Sequence, residues 1–151
     1  MSDLIIACKE RKFHFGFFSN SFEHCIPLDQ VWISPFGNQS NSWKFESGDG
    51  KFGGDLIHMG NYLDSSPIHF SHKGVVFIKR SDDRRHFGFF FEKIAYKIKV
   101  SENIGRFLKY AQIKKYPPQI AKDSYFGIYK YKRKTVYIID PVKFAKLNRS
   151  P

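Results

Sequence analysis

The sequence is poor in cysteine and in long apolar runs, and both features narrow the class of protein. Cys8 and Cys25 are too few for a disulfide framework, so we expect two reduced thiols, with a single bridge between them as the alternative. No stretch reaches the roughly 20 apolar residues needed to span a bilayer, so we expect no membrane partner. The opening MSDLIIACKERK has acid before its apolar run and base after it, the reverse of a signal peptide. These features predict a cytoplasmic protein.

Acidic residues are scarce in the last part of the chain. Residues 92–151 hold fifteen Lys/Arg and four Asp/Glu, whereas residues 1–91 hold ten of each. The whole formal net charge of +11 therefore belongs to residues 92–151. Such asymmetry is typical of a protein with a polyanionic partner. A solvated charged face without a partner has the same composition.

Aromatic residues are abundant, at 18% of the chain with 17 Phe, and they favour strands over helices. A length of 151 residues predicts a single domain, with a neutral part at 1–91 and a basic part at 92–151. Apolar and aromatic runs joined by a few charged residues predict β-hairpins. We expect three of them, at 3–8 with 13–18, at 74–80 with 84–92, and at 124–131 with 135–140.

Further elements complete the prediction. Alternation in EKIAYKIKV predicts a strand at 92–100 with one basic face. Ser101 as N-cap and apolar residues at helical spacing predict an amphipathic helix over about 101–115. Asp140 and Pro141 predict a short C-terminal helix. The expected fold is a β-rich α+β domain whose antiparallel sheet is built from three hairpins.

The pentapeptide HFGFF occurs twice, at 14–18 and 86–90. Two histidines on matching strands resemble the two-histidine phosphoesterases, which use one His as base and one as acid on a small phosphodiester. The resemblance implies His14 and His86 as catalytic residues. That family has Ser or Thr two positions after each His, whereas this chain has Gly16 and Gly88. We therefore favour the other explanation of the repeat, two hairpin strands that solve one packing problem.

The basic part carries the leading functional interpretation, a nucleic-acid-binding protein for DNA or RNA. Cations bind phosphates, and tyrosine rings offer stacking surfaces for unpaired bases. The alternative is a non-enzymatic inhibitor or adaptor, of the kind encoded by mobile elements, that binds an acidic protein. The predicted binding residues are Lys97, Lys99, Arg106, Lys109, Lys114, Lys115, Lys130, Tyr131, Lys132, Arg133 and Lys134.

A small nuclease activity is an additional hypothesis. Asp49 and Asp55 lie in the segment SGDGKFGGD and Glu46 directly precedes it, and these carboxylates would hold Mg²⁺ as cofactor if they converged. Gly-Asp-Gly is also an ordinary turn sequence, and we favour a turn over a metal site here. A metal-independent nuclease would instead draw on two histidines.

Overall fold

The structure is a computed structural model, and it divides the chain into two compact units. Unit 1 comprises residues 1–21 and 94–149, and unit 2 comprises residues 22–93. The prediction that the whole chain folds as a single domain stays a prediction. The structure describes residues 4–35, 43–63, 69–80, 86–100, 106–109, 120 and 122–147.

The described residues form twelve strands and one α-helix. In chain order these are β1 (Leu4–Glu10), β2 (Phe13–Phe18), β3 (His24–Pro27), β4 (Val31–Pro35), β5 (Trp43–Ser47), β6 (Gly53–His58), β7 (Val75–Arg80), β8 (His86–Phe91), β9 (Ile94–Lys99), β10 (Arg106–Lys109), β11 (Tyr125–Tyr131), β12 (Lys134–Ile139) and α1 (Pro141–Leu147). No described helix is long and apolar enough to cross a membrane.

Each unit contains one six-stranded sheet. The strand order is β10-β11-β12-β2-β1-β9 in unit 1 and β3-β7-β8-β6-β5-β4 in unit 2. Neighbouring strands are antiparallel except for β12 with β2 and β6 with β8, which are parallel. The β-rich class and all three hairpins are therefore confirmed. The prediction of an antiparallel sheet is wrong, because both sheets are mixed.

The predicted helix at 101–115 is wrong where the structure describes it. Residues 106–109 form β10, which pairs antiparallel with β11 from Arg106 opposite Lys130 to Lys109 opposite Gly127. Backbone pairing at a sheet edge outweighs the weak helical preference of the local sequence. The rest of 101–115 lies outside the described residues. The C-terminal helix is confirmed as α1, where the Asp140 carboxylate accepts a hydrogen bond from the Lys143 N–H.

The sheet of unit 1 curls around one core. Tyr96 on β9 and Tyr131 on β11 are four strand spacings apart, roughly 19 Å in a flat sheet. Their rings nevertheless stack, with centroids 5.7 Å apart. The sheet must therefore bend round to bring its two sides together. The residues buried inside the curve are Ile5, Ala7, Phe18, Ile98, Tyr129, Val136 and Ile138.

The repeated HFGFF is one packing solution used in both units. Each copy is the return strand of a hairpin and has a parallel strand on its other side. A Cβ on Gly16 would lie 2.8 Å from Val136 Cγ1, and one on Gly88 would lie 2.8 Å from Val76 Cγ1. Glycine is thus required at the centre of each copy because a β-branched neighbour from another strand occupies the space.

Candidate functional site

The positive net charge of the chain belongs entirely to unit 1. Residues 1–21 and 94–149 hold seventeen Lys/Arg and five Asp/Glu, a net charge of +12. Residues 22–93 hold eight Lys/Arg and nine Asp/Glu, a net charge of −1. The fold adds the first hairpin, with Lys9, Arg11 and Lys12, to the basic residues of the C-terminal part. Unit 1 is therefore where an acidic partner would be attracted.

Two tight turns meet at one end of the unit 1 sheet. The first joins β1 to β2 through Arg11 and Lys12, and the second joins β11 to β12 through Lys132 and Arg133. Since β2 and β12 are adjacent and parallel, both turns lie at the end where these two strands begin. We call this the basic end, and its cations are Lys9, Arg11, Lys12, Lys132, Arg133 and Lys134.

Both turns hold cationic residues in left-handed backbone conformations. The φ angles are +55° at Arg11, +45° at Lys132 and +65° at Arg133. A two-residue hairpin turn with φ above zero at both positions favours Asn-Gly. A left-handed residue other than glycine costs roughly 1–2 kcal/mol. Strain of this kind clusters at functional sites, because the side chain has a use that outweighs its cost.

The inner side of the basic end carries a group of aromatic rings and charges. The Tyr96 hydroxyl shares a hydrogen bond of 3.1 Å with Nδ1 of His14, and Tyr96 stacks on Tyr131. Lys134 Nζ lies 4.7 Å from the centroid of the Tyr96 ring. Lys9 is directly opposite His14 in the β1–β2 pair. We call these five residues the mouth cluster: Lys9, His14, Tyr96, Tyr131 and Lys134.

The mouth cluster forms because all five residues lie on the strand faces that line the inside of the curved sheet. Lys9 continues the buried series Ile5 and Ala7, and His14 precedes the buried Gly16 and Phe18. Lys134 precedes the buried Val136 by two residues. The two lysines are exposed, whereas the three rings are half-buried. The inner lining therefore changes from apolar residues to cations and polar rings where it reaches solvent.

The charges of the mouth cluster act on its histidine. Burial lowers the pKa of His14 below its ordinary value, and the positive charges of Lys134 and then Lys9 lower it further. Burial also raises the pKa of Tyr96, with Tyr131 adding to the effect. The His14 ring is therefore held neutral in a strongly positive environment. Such a ring gains a proton readily when a negative group arrives beside it.

We expect the His14 ring to titrate below pH 6.5 in the folded protein and Lys134→Gln to move its midpoint towards 6.5. Two-dimensional NMR of the imidazole resonances measures both midpoints. Since the unfolded state takes up the proton first, the contribution of His14 to the free energy of unfolding is complete above pH 6.5 and is lost as pH falls through its lowered pKa. Lys143→Gln, the same charge change on α1, should leave the midpoint where it is. A wild-type midpoint at or above 6.5 would contradict the account.

The other predicted cations are distributed over different surfaces. Lys97 and Lys99 are exposed on the outer face of β9, as predicted for that strand, while Ile98 between them is fully buried. Lys130 faces outward on β11, where its Nζ donates to Thr135 Oγ1 at 2.7 Å. Arg106 and Lys109 belong to β10. Lys114 and Lys115 lie outside the described residues.

The two predicted catalytic histidines belong to different units and different sheets. His14 on β2 contacts Tyr96, and its ring centroid lies 5.8 Å from that of the tyrosine. His86 on β8 contacts Phe52, at 5.2 Å between centroids. They occupy equivalent positions of the repeated strand. Their role as catalytic residues stays a prediction.

The carboxylates proposed for Mg²⁺ have separate local roles. Asp49 makes a turn, in which its Oδ1 accepts from Ser47 Oγ at 2.7 Å and from the Lys51 N–H at 3.0 Å. These two bonds lower the pKa of Asp49. Asp55 lies 3.9 Å from Lys44 Nζ, and Glu46 is on β5. No group of three His, Cys, Asp or Glu within the described ranges could hold a metal ion.

His58 is a structural residue of unit 2. It is only 2% exposed, and its Nδ1 accepts a hydrogen bond from the Gly60 N–H at 3.0 Å. Since Nδ1 is the acceptor, Nε2 carries the proton and donates to the carbonyl of His69 at 2.9 Å. Both nitrogens are therefore used in fixing the segment that follows β6.

Comparison with known proteins places the fold. No protein family and no curated protein matches the sequence. Eleven chains among the solved structures match the fold. One is the crystal structure of the scaffolding protein TtCheW from Thermoanaerobacter tengcongensis, with a TM-score of 0.69 and 15% identity over 98% of this chain and 95% of that one. The chain has the fold of that scaffolding protein.

The prediction of a nucleic-acid-binding protein with a nuclease activity is wrong. The finding that overturns it is the fold, which over 98% of this chain is that of a scaffolding protein. The sequence misled because a positive surface attracts carboxylates as well as phosphates, and composition cannot separate the two. The alternative interpretation, an adaptor, agrees better with the fold.

Sequence reasoning also missed part of the site. Lys9 and Tyr96 were not among the predicted binding residues, because Lys9 lies in the neutral part of the chain and Tyr96 alternates with Ile94 and Ile98 like a core residue. One signal was available. The turns KERK and KRK of two predicted hairpins are both rich in Lys and Arg. This shared composition could have indicated that the two turns belong to one basic surface.

Proposed function

We propose that the chain is a non-enzymatic adaptor that binds other proteins. The observation that carries the proposal is the fold, which follows a scaffolding protein over 98% of this chain. Two compact units suit such a role, because each offers a separate surface to a partner. Their charges differ, with unit 1 strongly basic and unit 2 close to neutral. The two units would therefore select chemically different partners.

The partner of unit 1 is an acidic protein in this proposal. The basic end supports this, because six cations converge there and two of its turns retain strained Lys and Arg residues. Complementary charge raises association rates and rejects basic competitors. We also propose a cytoplasmic location, where the thiols of Cys8 and Cys25 would stay reduced.

Affinity capture followed by reconstitution tests the proposal. The tagged chain is incubated with a nuclease-treated lysate of its source organism, the retained proteins are identified, and each is then purified and mixed with the chain. We expect at least one acidic protein to form a stable complex in size-exclusion chromatography, and salt to weaken that complex. The proposal fails if no purified protein forms a complex, or if retention disappears when nucleic acid is removed.

A further inference from the structure

The mouth cluster brings cationic and polar side chains together at the basic end of unit 1. Lys9 and Lys134 both act electrostatically on His14. Within the part of the chain that the structure describes, neither lysine has a carboxylate partner. Tyr96 and Tyr131 fix the geometry, since they stack at 5.7 Å and Tyr96 also bonds His14. Cations assembled against their mutual repulsion suit an anionic ligand.

We infer that the mouth cluster binds a carboxylate side chain from an acidic segment of a partner protein. The inference rests on the proposed adaptor function and names the point at which the partner docks. It differs from a general attraction between charged surfaces, because it assigns the carboxylate to Lys9, His14 and Lys134. The stacked pair of Tyr96 and Tyr131 forms the apolar wall against which the rest of the acidic segment packs.

The chemistry of the cluster fits a carboxylate. Two ammonium groups and one imidazole provide charge-assisted N–H donors, and a carboxylate accepts through two oxygens. The Tyr96 hydroxyl can donate or accept, so its bond to His14 Nδ1 survives protonation of the ring. The second ring nitrogen of a protonated His14 is then a further donor. The half-buried rings exclude part of the solvent and so strengthen each of these bonds.

Binding should also be coupled to proton uptake. Among the described residues, Lys9 from β1, Tyr96 from β9 and Lys134 from β12 act on His14, and Tyr131 from β11 stacks on Tyr96. In the free protein these leave the ring neutral at pH 7. A bound carboxylate favours the charged ring, so the complex binds one more proton than the free protein. Affinity for an acidic segment should therefore increase as pH falls below 7.

A titration with defined peptides tests the inference. The probe is capped hexaglutamate at low salt, followed by NMR of the isotope-labelled chain, with capped hexaglutamine and ionic-strength-matched sodium chloride as controls. We expect saturable shifts at the His14 and Tyr96 rings, and a dissociation constant that falls by about threefold or more between pH 7.5 and pH 6, in keeping with a linked protonation.

Matched variants localise the binding. Lys9→Gln/Lys134→Gln should weaken hexaglutamate binding about tenfold, whereas Lys97→Gln/Lys99→Gln, the same charge change on the outer face of β9, should weaken it by less than about threefold. Equal losses in both variants would overturn the inference in favour of diffuse attraction. Absence of shifts at His14 and Tyr96 would also overturn it. Inorganic phosphate that shifts the same rings more strongly than hexaglutamate would show that the cluster takes a phosphate instead.

The outcome separates the inference from the proposed function. If the captured partner binds wild type and Lys9→Gln/Lys134→Gln equally well, the adaptor function stands and the mouth cluster is not its docking point. If hexaglutamate binds the mouth cluster with saturable shifts at His14 and Tyr96 while no protein forms a complex, the carboxylate site stands and the adaptor function fails.

Discussion

Gly54→Ala should lower the free energy of unfolding of unit 2 by about 3 kcal/mol or more. Adding a methyl group to a packed interior typically costs about 1–3 kcal/mol, and this position is at the costly end of that range. Gly54 lies on β6 opposite His86 of β8 in the parallel pair. A Cβ at this position would overlap the carbonyl oxygen of His86. That atom is backbone, so it cannot move without disturbing pairing that extends from Gly54 to His58.

Urea denaturation followed by tryptophan fluorescence measures this change, because Trp32 and Trp43 are the only tryptophans and both belong to unit 2. Gly48→Ala is the matched control. Its Cβ would meet only the carbonyl oxygen of Gln30, at 3.4 Å, so we expect a change below about 1 kcal/mol. If the two variants lose similar stability, the close approach of β6 and β8 at Gly54 is wrong.

Lys132→Asn/Arg133→Gly should stabilise unit 1 and weaken the binding of acidic ligands. Both positions have φ above zero, at +45° and +65°, and Asn-Gly is the sequence that such a turn favours. Relief of the strain should add about 1–2 kcal/mol to the free energy of unfolding. Loss of two cations from the basic end should weaken hexaglutamate binding about threefold at low salt, less than the loss of Lys9 and Lys134 from the mouth cluster.

Lys132→Gln/Arg133→Gln separates the two effects, since it removes the same charges and leaves the strained backbone in place. We expect this variant to lose affinity to the same degree without gaining stability. Thermal denaturation and peptide titration measure the two quantities. Tight binding by the Asn-Gly variant would show that Lys132 and Arg133 are not retained for an acidic partner.

Local patterns in the sequence were sufficient for most strands. Alternation places Ile98 inside and Lys97 and Lys99 outside, and it depends only on the two-residue period of a strand. The three hairpins could also be predicted, because a few charged residues between two apolar runs are a local signal. The helix expected at 101–115 failed at 106–109, because pairing with β11 is a contact that helical spacing cannot reveal.

Local sequence patterns could not predict the mixed sheets or the mouth cluster. The parallel pair of β12 with β2 joins Val136 to His14, positions near opposite ends of the chain. Only this pairing brings the two cationic turns to one end, and only the curl of the sheet brings Tyr96 against Tyr131. The sequence contains the positive charge, whereas its arrangement around a histidine comes from non-local contacts.

Equilibrium binding between the chain and its purified captured partner tests the adaptor function most directly. Isothermal titration calorimetry is run at low and at high salt, with a generic single-stranded RNA as the comparison ligand. The account predicts saturable binding of the partner that weakens with salt and exceeds any affinity for the RNA. Binding of the RNA without measurable binding of any protein partner would contradict it.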